Sequence, residues 1–220
     1  MNEPTDNLQQ LDAAARAELA ALGDLAALKP AQRAKIAQRE MPSQDPKARI
    51  RNMREVALGY TEPMARLEAQ RCLQCPTKPC TAGCPVSIDI PRFVKAIAEG
   101  DDRRAIGVIK EASLLPSVCG RVCPQERQCM KGCTVGKIAK DVQKSVAIGR
   151  LERYVADLER ERGREKEKGQ RQLPHGVSWE GWLKRLKRLK GLKGLKGLKR
   201  KRGKAYRMSR RLAAPVAGGR

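Results

Sequence analysis

Eight cysteines carry whatever chemistry this 220-residue chain performs, and all of them lie between positions 72 and 133. Cys72, Cys75, Cys80 and Cys84 are spaced C-x2-C-x4-C-x3-C; Cys119, Cys123, Cys129 and Cys133 are spaced C-x3-C-x5-C-x3-C, and prolines follow Cys84 and Cys123. Thiols this dense can pair as disulfides, hold zinc, or hold iron–sulfur clusters. The N-terminal stretch "MNEPTDNLQQLDAAARAELAAL" lacks the basic start and apolar run of a secretory signal. No segment approaches the ~20 apolar residues of a membrane span, so the expected setting is the reducing cytoplasm, where structural disulfides are rare. Zinc modules favour two separated C-x2-C pairs, and only one such pair is present. Compact runs ending in C-P, whose last cysteine crosses to the other of two clusters, are an iron–sulfur pattern. Gly83, Gly120 and Gly132 would let the backbone come close to sulfur. Spacing therefore ranks iron–sulfur ahead of zinc, which stands as the alternative.

These thiols need elements to hold them, and the sequence supplies helices. "LQQLDAAARAELAAL" is rich in Ala and Leu and stops at Gly23; "PAQRAKIAQRE" opens with Pro30 in an N1-like position, so residues 8–40 read as helical. Pro42 and Pro46 mark a connector. A helix over about 62–72, with Thr61 as cap, delivers the first cysteine. Asp89 caps a helix running to Gly100, and Asp101 or Asp102 caps the next, over "RRAIGVIKEA". Phe93, Val94 and Ile97 should then face Ile106 and Ile109 across a short helical hairpin. After the second run, Ile148, Leu151, Val155 and Leu158 recur at helical spacing. No alternating stretch reads as a strand, so the expected fold is mostly α.

The charge is unevenly spread. The formal net charge is +23, but 22 of the 47 Lys and Arg, against only 5 of the 24 Asp and Glu, lie from residue 158 onward. "WLKRLKRLKGLKGLKGLKRKRG" repeats Leu every third residue, a period that drifts around a 3.6-residue helix, and its glycines each weaken a helix by about 1 kcal/mol relative to Ala. Residues 159–220 are therefore expected to be a disordered, low-complexity basic tail. With only Trp179, Trp182 and Tyr206 for stacking, any nucleic-acid binding through it is expected to be non-specific. His175, the one histidine, falls in that tail, so no Ser/His/Asp or Cys/His constellation is available.

"RCLQCPTKPCTAGCPVSIDIPRFVKAIAEGD", "LLPSVCGRVCPQERQC" and "VAIGRLERYVAD" together resemble the N-terminal iron–sulfur domain of the NADPH-dependent glutamate synthase small (beta) subunit. That domain is shared with dihydropyrimidine dehydrogenase and related ferredoxin:NADP oxidoreductases. The likeness runs from about Gln44 to about Asp157. It implies an α-helical ferredoxin-like domain over 44–158 with two [4Fe–4S] clusters, preceded by a helical extension over 1–43. It also implies a crossed ligand set. Cys72, Cys75, Cys80 and Cys133 would hold one cluster; Cys84, Cys123 and Cys129 would hold the other. The last position would fall to Glu152, with Cys119 as the alternative. Arg121, in "CGRVCP", is a candidate for placing positive charge near a cluster.

The resemblance further implies electron relay between a flavin and a redox partner, such as the large subunit of glutamate synthase. The family's FAD and NADPH domains would follow "YVAD", but no G-x-G-x-x-G turn between a strand and a helix is present there. The abrupt change of composition and the repeated "KGL" are accordingly read as a truncated or frame-shifted product, without flavin or nucleotide sites of its own. The alternative function is a non-redox, metal-stabilised helical binding protein with a basic nucleic-acid-binding tail.

Overall fold

The computed structural model describes residues 7–171. The basic repeat, its aromatic residues and His175 lie outside the described residues. Met1–Lys166 form one compact unit; of the second, Glu167–Arg220, only the end of the last helix is described.

Among the described residues the fold is helical throughout, with one isolated antiparallel bridge, Ser43 to Ala57, and no strand. The chain order is α1 Leu8–Leu22, α2 Pro30–Arg33, α3 Pro46–Arg49, α4 Glu62–Gln70, α5 Pro79–Ala82, α6 Ile90–Ala98, α7 Asp102–Lys110, α8 Pro116–Val122, α9 Cys129–Gly132, α10 Thr134–Ile138 and α11 Ile148–Arg171. None is long and apolar enough to cross a membrane.

The expected hairpin is the centre of the structure. Asp89 accepts from the Arg92 N–H at 3.4 Å and Asp101 from the Arg104 N–H at 2.9 Å, each satisfying an orphan donor of a first turn. Gly100, at φ +81°, makes the left-handed turn between the helices. Phe93, Val94, Ile97, Ile106 and Ile109 are buried between α6 and α7, and Met64 and Leu67 of α4 join the same core. α11 closes it with Ile148, Leu151 and Val155.

Three local expectations change. The helix opened by Pro30 ends after one turn rather than continuing to residue 40. Its continuation is held by tertiary bonds instead: the Ile36 carbonyl accepts from Arg71 Nε (2.9 Å), and the Arg39 N–H donates to Glu68 Oε2 (2.7 Å). Thr61 stands at the N-cap of α4, but its side chain makes no capping bond. At the other end of the chain, helical structure continues past 158 to Arg171. Glu, Lys and Arg are good helix formers, and Arg160 pairs with Asp157 one turn away at 3.0 Å.

The residues set apart as an N-terminal extension belong to the first unit. α1 packs on α4, with Ala15 fully buried, and Arg39 pairs with Glu18 at 2.7 Å. Glu68 and Arg71 tie this extension to the rest. Glu68 Oε1 accepts from Arg71 (2.6 Å) and from the Ala147 N–H (2.9 Å). Arg71 also donates to the carbonyls of Ile36, Lys144 and Ser145. Both side chains are almost wholly buried.

Glycine sets how closely the two cysteine runs approach. A Cβ on Gly132 would lie 2.5 Å from the Pro79 carbonyl oxygen, and one on Gly83 would lie 2.7 Å from that of Gln128. α5 and α9 are thus in direct backbone contact. The glycines expected to bring backbone towards sulfur instead bring backbone against backbone, and Gly120 does the same between α8 and α11. Gly132→Ala is expected to destabilise the chain by about 1–3 kcal/mol through overpacking. Gly107→Ala, on the open side of α7, should instead gain about 1 kcal/mol. Chemical denaturation midpoints of the two variants should move in opposite directions.

Candidate metal centre

All eight cysteines are free thiols, in two groups. Cys72 follows the end of α4, Cys75 lies in the turn beyond it, Cys80 is in α5, and Cys133 sits between α9 and α10. These four line one cavity, walled by Leu73, Pro79, Pro91, Val135 and Val146. Burial pushes the Cys72 thiol up to about 12, and the neighbouring sulfurs of Cys80, Cys133 and Cys75 push in the same direction. Cys80 rises to about 11 for the same reasons, burial first and then Cys133. Cys133 therefore belongs spatially with the first run, although it is the last cysteine in the sequence.

The second group gathers Cys84, the last cysteine of the first run, with Cys123 and Cys129. Burial raises Cys129 to about 12, with Cys84 and Glu152 adding to the shift. Cys123 rises to about 11, from burial and then from Cys119, Glu152 and Cys84. Glu152 is brought here by α11, whose N-terminal turn is fastened to the cysteine loop: the Gly149 N–H donates to Gln125 Oε1 at 3.1 Å. Cys119 lies one turn before Cys123 on α8, and its sulfur is 3.9 Å from the Ser113 hydroxyl.

Glu152 is only 7% exposed, and burial alone pushes its carboxyl up to about 7. Its Oε1 has no hydrogen-bond partner. A buried carboxylate oxygen without a donor is costly unless a cation or a proton meets it. Set beside thiols, it forms a donor set that suits a cationic, sulfur-loving centre, and the residues present fit an iron–sulfur group. Among the described residues no three His, Cys, Asp or Glu side chains gather tightly enough for a single metal ion. A cubane asks for a wider arrangement, since each ligand bonds a different iron.

Arg121, expected to place positive charge near a cluster, is held in an ion-pair network. Its guanidinium donates to Glu55 (2.8 Å) and to Asp157 (2.7 Å), and Arg153 joins the same network. Glu55 and Asp157 are thus shared among Arg121, Arg153 and Arg160. Sequence reasoning missed two side chains that do touch the cysteines. The Gln74 amide donates to Cys72 Sγ at 3.3 Å, and the Thr134 hydroxyl lies 3.1 Å from Cys75 Sγ. Their adjacency to Cys75 and Cys133 in the chain was the only signal available.

Residues 49–164 match the family described as dihydropyrimidine dehydrogenase domain II, 4Fe-4S cluster. The NAD-dependent dihydropyrimidine dehydrogenase subunit PreT of Escherichia coli (strain K12) is 38% identical over 111 residues, covering 50% of this chain and 26% of that protein. The glutamate synthase [NADPH] small chain of the same organism is 38% identical over 127 residues, 57% of this chain and 26% of its own length. That of Azospirillum brasilense is 34% identical over 124 residues, 56% and 25% respectively. The chain thus spans about a quarter of the length of these relatives.

Proposed function

The chain belongs to the dihydropyrimidine dehydrogenase domain II family of 4Fe-4S domains, and from that premise we propose that it relays single electrons through two [4Fe–4S] clusters. Cys72, Cys75, Cys80 and Cys133 hold the first. Cys84, Cys123 and Cys129 hold the second, with Glu152 in the fourth position and Cys119 as its alternative. One observation carries this reading: Cys133, from the second run, lines the cavity of the first. That crossing is what two clusters sharing two cysteine runs require.

When bound, such a cluster supplies reversible one-electron oxidation and reduction. The protein's part is to exclude water and to hold the thiolates. Leu73, Pro91, Val135 and Val146 cover the first group. Both groups reach the surface in part, the first at Cys72 and Cys75, the second at Cys84, Cys119 and Cys123. Val118 and Val122, exposed on α8, stand beside the last two. An exposed apolar strip next to a redox group is a natural surface for electron exchange with a partner. The relatives are subunits of oxidoreductases, which supports a partner subunit bearing a flavin or a further redox centre, as in glutamate synthase.

Anaerobic reconstitution of the full chain with iron and sulfide tests this. The expected product is brown, contains iron and acid-labile sulfide in equal amounts, and loses visible absorption on reduction with dithionite. A colourless protein that retains zinc instead would overturn the proposal.

A further inference from the structure

The two cysteine groups differ in what donates to their sulfurs. In the first group, Cys72 Sγ receives the side-chain amide of Gln74 at 3.3 Å. Cys75 Sγ meets the Thr134 hydroxyl at 3.1 Å. A metal-bound thiolate carries no proton, so the hydroxyl must be the donor in that pair. Among the described residues, no non-cysteine side chain donates to Cys84, Cys123 or Cys129.

Gln74 is held for this contact. Its φ is +52°, a left-handed conformation that is uncommon for a residue with a Cβ. The side chain is fixed at two points, since the amide that reaches Cys72 Sγ also donates to the Pro91 carbonyl at 3.0 Å. Thr134 is fixed by its position at the start of α10, directly after Cys133.

Resting on the iron–sulfur reading above, we propose that Gln74 and Thr134 are positioning residues that set the reduction potential of the first group, by donating hydrogen bonds to Cys72 and Cys75 Sγ. Reduction adds negative charge that is shared with the ligand sulfurs. A donor aimed at those sulfurs stabilises the reduced form more than the oxidised one, so the potential rises.

The test is an EPR-monitored redox titration of the full reconstituted chain, with the two signals assigned by their loss in Cys75→Ser and Cys123→Ser. Thr134→Val should shift the first signal to lower potential and leave the second unmoved, while Thr134→Ser should restore the wild-type value. Gln74→Gly should also lower the first potential, even though glycine relaxes the left-handed backbone at that position. A merely structural role would predict no shift in that variant. Wild-type iron and sulfide with unmoved potentials in both Thr134→Val and Gln74→Gly would overturn this assignment alone. Loss of the cluster in Thr134→Val but not in Thr134→Ser would make the hydroxyl a device for cluster retention, and would also overturn it. Absence of iron and sulfide from the wild-type chain would overturn the electron-transfer reading itself.

Discussion

Serine replacement of Cys75, and separately of Cys123, is expected to remove about half of the bound iron and acid-labile sulfide, with a different EPR signal lost in each case. The sharper result concerns the cysteines at the crossing. Cys133→Ser should abolish the same signal as Cys75→Ser, although Cys133 ends the second run. Cys84→Ser should abolish the Cys123 signal, although Cys84 ends the first. If the runs bound independently, Cys84 would instead group with Cys75 and Cys133 with Cys123. Glu152→Ala and Cys119→Ser complete the series. The variant that alters the second signal identifies its fourth ligand, and the orphaned Oε1 of Glu152 places that expectation on the carboxylate.

The second large effect lies away from the thiols. Glu68→Gln should destabilise the chain by about 3–5 kcal/mol, the usual consequence of breaking a buried charge pair on one side. The carboxylate accepts three bonds, from Arg71, the Ala147 N–H and the Arg39 N–H. An amide presents one acceptor and turns an N–H₂ towards donors. It also leaves the Arg71 charge buried without its counter-charge. Burial pushes the Glu68 carboxyl up and outweighs Arg71 and the two backbone N–H groups, which pull it down, so losing any of these donors leaves the burial uncompensated. Urea unfolding of wild type and variant at equal cluster loading measures the difference. Exposed pairs such as Arg92–Glu111, both half in solvent, should show little when broken.

The helical hairpin was legible because its signals are local. Asp89 and Asp101 are caps, Gly100 is a left-handed turn, and the apolar residues of α6 and α7 repeat at helical spacing. The cysteine spacing likewise pointed to clusters, and the family likeness named Glu152. What could not be read was set by distant partners. The early end of α2 depends on Arg71 and Glu68, which lie more than thirty positions along the chain from Pro30. Nothing near Arg71 in sequence marks it as buried, because the three carbonyls it binds come from two remote loops. The ion-pair partners of Arg121 were equally hidden: its neighbours in sequence are cysteines, whereas the carboxylates it meets sit on residues 55 and 157. Gln74 carried no mark at all, since a left-handed glutamine is a property of the folded turn.

The backbone contact between α5 and α9 has a thermodynamic consequence. Gly83 against Gln128 and Gly132 against Pro79 close long loops around the α6–α7 hairpin. Closing a flexible loop of that length costs on the order of 3 kcal/mol in chain entropy. In a small zinc finger, metal binding must itself drive such ordering, so the apo chain is unfolded. Here helix packing contributes to that closure as well, and it sets thiols from both runs side by side. The glycines are what allow this, because any larger residue at either position would hold the loop ends apart.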